Sequence, residues 1–138
     1  HAAAAGRRRR ERARDRRGGL ILALCADHRV GARHGRFGLT ELAVGLPYPV
    51  VALAVVRAEL SPPAARRLAL GAELVGHEEA LALGCLDELA DDALARALEV
   101  AARLAEFPPD AYAAAKAGLR PPLPDPDSDP LLGGWIAG

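Results

Sequence analysis

The chain has no methionine, two cysteines, and only two Phe, two Tyr and one Trp among its 138 residues. Half of it is nevertheless apolar, so its core must be assembled from closely packed Ala, Leu and Val, a composition that favours helices. Cys25 and Cys85 each lie within an apolar stretch and have no further partners, which excludes a disulfide framework and reads as two buried, reduced thiols. No uncharged run reaches the roughly 18 residues of a membrane span, and the first residues lack the apolar centre of a signal peptide. A soluble, cytoplasmic chain of about one domain is therefore expected. The lack of any Met and the start at His1 place the expected beginning of the protein upstream.

Net charge is also lacking, since 18 Lys and Arg balance 18 Asp and Glu. The balance is uneven. Residues 7–17 hold eight Arg against Glu11 and Asp15, so the remainder is acidic. This Ala/Arg-rich opening has no apolar face and is expected to be a solvated arm over residues 1–17. Its lack of interleaved aromatics argues against nucleic-acid binding.

Order is expected from Gly18-Gly19, where a tight turn feeds a buried helix in LILALCA. Asp27–Ala32 and Gly35–Leu39 read as short extended pieces, and VVALAVVRAEL as a helix after Pro49. Ser61 is placed to cap a helix with Pro62 in its first turn, running through AARRLAL to Gly71. HEEALAL is a further helix stopped at Gly84, Cys85–Leu89 a short strand, and Asp91 or Asp92 the cap of a long amphipathic helix ended by Pro108-Pro109. DAYAAAKAGLR closes the helical part, and residues 121–138 form a Pro/Asp-rich tail in which Trp135 serves as a packing anchor, against this chain or another subunit. Asp27 is expected to cap or to pair with Arg29 or Arg36, and His34 and His77 to be exposed. Cys25 and His28 are metal-ligand types without a second pair, so no metal is expected.

One stretch stands out chemically. In FGLTELAVGLP a lone carboxylate, Glu41, sits in an apolar run between glycines, with no neighbouring cation. Burying an ionised carboxylate unpaired is costly, so either Glu41 faces water or its presentation to a pocket is its purpose.

The segment GGLILALCADHRVGARHGRFGLTELAVGLP resembles the second half of the enoyl-CoA hydratase/isomerase (crotonase) superfamily. The double glycine Gly18-Gly19, the Ala26-Asp27 step, the strand His28-Arg29-Val30, the loop Phe37-Gly38-Leu39-Thr40-Glu41 and Gly45-Leu46-Pro47 carry the likeness. AARRLALGAELVGHEEALALGCLDEL continues it, and the resemblance covers residues 18–120. It implies an α/β fold, the C-terminal part of a ClpP/crotonase-like spiral, helix-rich with short strands. It also implies a coenzyme A thioester as substrate, no cofactor, and a homo-oligomer, trimer or hexamer.

The resemblance assigns the backbone N–H of Gly18 to an oxyanion hole, with Gly19 in support, and lays Gly19, Leu20, Thr40, Leu46 and Pro47 along the substrate. Glu41 falls on the family's acid/base glutamate, where walls of Leu39, Leu42 and Leu46 would suit proton abstraction from carbon. Hydratases of the family carry a second glutamate, and the matching position here is Ile21. Isomerisation needs a single base that then acts as acid, so an enoyl-CoA isomerase is the first reading, a hydratase the second, and a catalytically inert structural unit the third. The family's A-x-x-A-G-x-D loop, which supplies the other oxyanion donor, does not occur in this sequence, and Arg7–Arg17 stand between His1–Gly6 and the double glycine.

Overall fold

The structure, a computed structural model, describes residues 19–137. The arginine-rich segment and Gly18 lie outside the described residues. Helix α1 (Gly19–Leu24) buries Leu20, Ile21 and Leu24 along one stripe and packs them on α2 (Val50–Glu59), whose inward side chains are Ala52, Val55 and Val56. The opposite side of α1 is open. Leu22 is 76% exposed and Cys25 faces outward, so α1 is half-buried where a fully buried helix was expected, and only Cys85 is a buried thiol.

Two short sheets connect the helices. β1 (Val30–Ala32) pairs in parallel with β4 (Glu88–Ala90), Gly31 opposite Leu89, while β2 (Arg36–Phe37) pairs antiparallel with β3 (Val75–Gly76). The last strand begins at Glu88, three residues later than Cys85, because Cys85 and Leu86 belong to the core and precede the ladder. Long-range parallel pairing carries the chain through α3 (Pro62–Ala65) and α4 (His77–Ala82) before it returns beside β1.

Local chemistry sets most helix ends. Ser61 accepts from the Ala64 amide at 3.3 Å with Pro62 in the first turn, and Asp92 accepts from the Ala95 amide at 3.0 Å to start α5 (Ala93–Leu104). Past Ala65 the helix does not continue regularly. Residues Arg66–Leu70 form a π turn in which the Gly71 amide reaches back five residues to the Arg66 carbonyl at 3.0 Å.

Arg29 ties these pieces together. Its side chain, 9% exposed, donates to the Leu24 carbonyl at the end of α1 (3.1 Å), to the Glu59 carboxylate at the end of α2 (3.3 Å) and to the Gly84 carbonyl after α4 (3.2 Å). Its own amide donates to Asp87 at 2.8 Å. The core around it contains Leu24, Leu39, Val56, Leu68, Val75 and Cys85.

Helix α6 (Pro109–Leu119) buries no side chain fully and is held by polar contacts instead. Asp27 is the centre of them, accepting from the Tyr112 hydroxyl at 2.6 Å and facing Lys116 at 2.8 Å and Arg120 at 3.1 Å. Asp27 therefore pairs with partners 85–93 residues away rather than with Arg29 or Arg36, since the chain folds α6 across the α1–β1 connection. Lys116 and then Tyr112 hold the Asp27 carboxyl below its ordinary value of 3.8, against the opposing effect of burial. The contribution is present above the ordinary value and is lost as pH falls through the lowered one. Amide spectra recorded on acidification should show α6 detaching from the α1–β1 connection below pH 3.8, before α1 and α2 respond; an α6 that is released only when the core unfolds would contradict this.

The C-terminal residues fold back on the same body. Asp129 accepts from the Val51 amide at 3.1 Å, and Trp135, in α7 (Leu132–Ala137), packs on the chain's own core. His34 is exposed as expected, whereas His77 at the start of α4 is half-buried.

Candidate active site

Glu41 is 2% exposed. It does not face water, and the reason lies in the two glycines around it. A Cβ at Gly38 would stand 2.5 Å from the Glu73 carbonyl oxygen, so only glycine lets this strand end lie against the 72–74 connection. After Glu41 the chain makes a 3-10 turn, Leu42–Val44, closed by Gly45 in the left-handed region (φ 73°). The Glu41 carbonyl accepts from Val44 at 3.1 Å and Leu46 at 2.9 Å, which fixes its backbone and directs its side chain inward.

The inner surroundings differ from the expected leucine walls. Leu39 is buried, but Leu42 is 42% exposed and Leu46 half-buried. The missing wall is Tyr48, which the sequence reading passed over. Its hydroxyl reaches the Leu39 carbonyl at 3.1 Å and the Ala69 carbonyl of the π turn at 3.2 Å. Burial and the nearby Glu41 carboxylate together hold the Tyr48 phenol well above its ordinary pKa of 10. A tyrosine between two prolines in a chain with so few aromatics was the available signal.

The Oε2 atom of Glu41 is buried and makes no hydrogen bond among the described residues. An orphaned buried carboxylate oxygen costs folding free energy, on the order of 1–3 kcal/mol, and is a feature that stability alone does not select.

The other candidates distribute as follows. Leu20 is buried, and with Ile21 it belongs to the same apolar cluster as Leu39 and Tyr48. Gly19 is exposed at the start of α1, with open space where a Cβ would point. Thr40 and Leu46 are half-buried on either side of Glu41, and Pro47 is exposed. Two clefts lie elsewhere. One, of about 90 Å³, is lined by Leu24, Cys25, Val55, Glu59 and Arg120 among others, and one of about 240 Å³ by Asp27, Tyr112 and Lys116 among others. Glu41 lines neither. Among the described residues no group of three His, Cys, Asp or Glu is placed to hold a metal ion.

A helix-rich body with short paired strands, a glycine-led helix and an inward glutamate on a Gly-flanked loop defines the C-terminal part of a crotonase-like spiral fold. Residues 16–129 match the enoyl-CoA hydratase/isomerase family, and the chain belongs to that family. It is 40% identical over 103 residues to "probable enoyl-CoA hydratase EchA17" of Mycobacterium tuberculosis, an overlap of 73% of this chain and 40% of that protein. In three dimensions it is similar to the enoyl-CoA hydratase EchA3 of Mycobacterium ulcerans, with a TM-score of 0.71 and 32% identity over 75% of this chain and 46% of that one. It is equally similar to an enoyl-CoA isomerase of M. tuberculosis, with a TM-score of 0.72 and 31% identity over 88% and 53%. The chain thus spans about two fifths of the curated relatives and about half of the solved ones. No helix among the described residues is long and apolar enough to cross a membrane.

Proposed function

We propose that this chain carries the proton-transfer half of an acyl-CoA-processing site and that its reaction is the isomerisation of a 3-enoyl thioester. The observation that carries this reading is one buried carboxylate without a second: Glu41 is 2% exposed, and the sequence position that matches the family's second glutamate is Ile21, itself buried. Addition of water needs a group to hold and activate that water as well as a base for the carbon. A 1,3 proton shift needs the base alone. Glu41 takes a proton from C2, the electron pair moves so that the C3=C4 double bond becomes C2=C3, and the same carboxylic acid returns a proton to C4.

Charge that develops on the thioester oxygen during this transfer requires hydrogen-bond donors set in place beforehand. The amides that open α1 are the candidates. The first four N–H groups of a helix have no partner within it, and Gly19 presents no side chain to a thioester approaching them. Gly18 is proposed as the donor, with Gly19 supporting it and Leu20, Thr40, Leu46 and Pro47 lining the acyl path. The second donor, the remaining thioester contacts and an oligomeric assembly are assigned in this reading to the part of the relatives that this chain does not span.

The solved relatives carry both hydratase and isomerase names, one M. tuberculosis protein carrying each in turn, and the curated ones carry hydratase names, which keeps hydration as the second reading. Parallel assays separate the two. The protein given a 3-enoyl-CoA should produce the absorbance of the conjugated thioester, and given a 2-enoyl-CoA should leave that absorbance unchanged. Loss of conjugated absorbance from the 2-enoyl substrate would establish hydration instead.

A further inference from the structure

Tyr48 stands seven residues after Glu41, yet its hydroxyl returns to the carbonyl of Leu39, two residues before it. The 3-10 turn and Gly45 make that reversal possible, and the bond closes the loop around the glutamate. The second carbonyl in reach, that of Ala69, belongs to the π turn, so the phenol also fastens the loop to the helix behind it. A hydroxyl has one proton and turns freely about its C–O bond, so two carbonyl oxygens at 3.1 and 3.2 Å cannot both be fully served. Close by lies a carboxylate whose Oε2 is buried without a partner. The phenol is buried too, 7% exposed, and its titration is displaced upward by that burial first and then by the nearby Glu41 carboxylate.

We propose that Tyr48 is a positioning residue for Glu41: its hydroxyl holds the loop through Leu39 and Ala69 and turns toward the carboxylate when that group is charged. The role given to Glu41 rests on the isomerase reading, but the coupling between the two side chains does not. Tyr48 acts on the substrate only through Glu41 in this proposal. It sets the direction of the carboxylate and supplies the dipole that the orphaned oxygen otherwise lacks.

Two replacements at one position test the proposal with opposite signs. In Tyr48→Phe the ring stays and the hydroxyl goes; with 3-fluorotyrosine at position 48 the ring stays and the hydroxyl becomes a stronger donor. NMR of protein labelled at the glutamate carboxyl carbons, with the Glu41 signal assigned by its disappearance in Glu41→Gln, reads the titration directly. Its midpoint should rise in Tyr48→Phe and fall with fluorotyrosine, by about half a unit or more in each case. A packing role moves neither in this signed manner, and a midpoint unchanged in both overturns the proposal. Should Tyr48→Phe fail to fold, the fluorotyrosine protein decides alone.

Kinetics supply the second arm. Tyr48→Phe should lower kcat for 3-enoyl-CoA about 10- to 100-fold with KM altered by less than about twofold, as misdirection of a reacting group requires. Hydration of a 2-enoyl-CoA by the parent together with the signed titration would overturn the isomerase reading and leave the coupling standing; isomerisation with an unmoved titration would do the reverse.

Discussion

Replacement of Arg29 by Met is expected to remove about 3–5 kcal/mol of stability, the cost of breaking a buried, hydrogen-bonded ion pair from one side. A domain of this size has only about 5–15 kcal/mol in total, so the variant should be largely unfolded at modest urea concentrations. The magnitude follows from geometry. One guanidinium serves the ends of α1 and α2 and the turn after α4, and Met matches its bulk without its donors. The carbonyls of Leu24 and Gly84 lose their side-chain donor, and Glu59 keeps only Arg120, at 3.1 Å. Arg29→Lys should recover part of the loss, because a single ammonium group cannot reach three acceptors spread around a planar fork. A urea midpoint within error of the parent for Arg29→Met would show that the three ends are held by packing alone.

Glu41→Gln is expected to cut turnover of 3-enoyl-CoA by about 10²–10⁴-fold, the usual contribution of a positioned acid/base. The same change should leave the thermal midpoint unchanged or raise it. The side chain keeps its shape, and a buried carboxylate whose Oε2 has no partner is exchanged for an amide that carries no charge to desolvate. Opposite signs for activity and stability are the mark of a group kept for chemistry at the expense of folding. If Glu41→Gln loses stability as well as activity, the carboxylate is a structural member of the core.

Features that depend on a few neighbouring residues were legible in the sequence. The Ser61 cap with Pro62, the cap that the sequence left between Asp91 and Asp92 and the structure gives to Asp92, and Gly84, which takes a positive φ of 82°, all act within a turn of themselves. The loop of Glu41 was legible for the same reason, as glycines on both sides announce a constrained backbone. What escaped was set by distant contacts. Asp27 finds its partners on α6 and at the residue that follows it, and no spacing rule connects residue 27 with residues 112, 116 and 120. Arg29 looked like one residue of a strand, although its side chain joins three helix ends.

Hydropathy misled at α1. Leu22 and Cys25 read as core residues, yet they lie on the side of the helix that this chain leaves open. The π turn had no warning in AARRLAL, and with it the carbonyl that meets Tyr48 went unseen.

The central claim is that one shielded carboxylate moves a proton from C2 to C4 of a thioester. A 3-enoyl-CoA carrying deuterium at C2, turned over in ordinary water and examined by mass spectrometry and NMR, measures that transfer. A base that is 2% exposed should hand a substantial part of the deuterium to C4 of a conjugated product with no added oxygen. A product with a hydroxyl group at C3, or one in which C4 carries only solvent protons, would contradict the account.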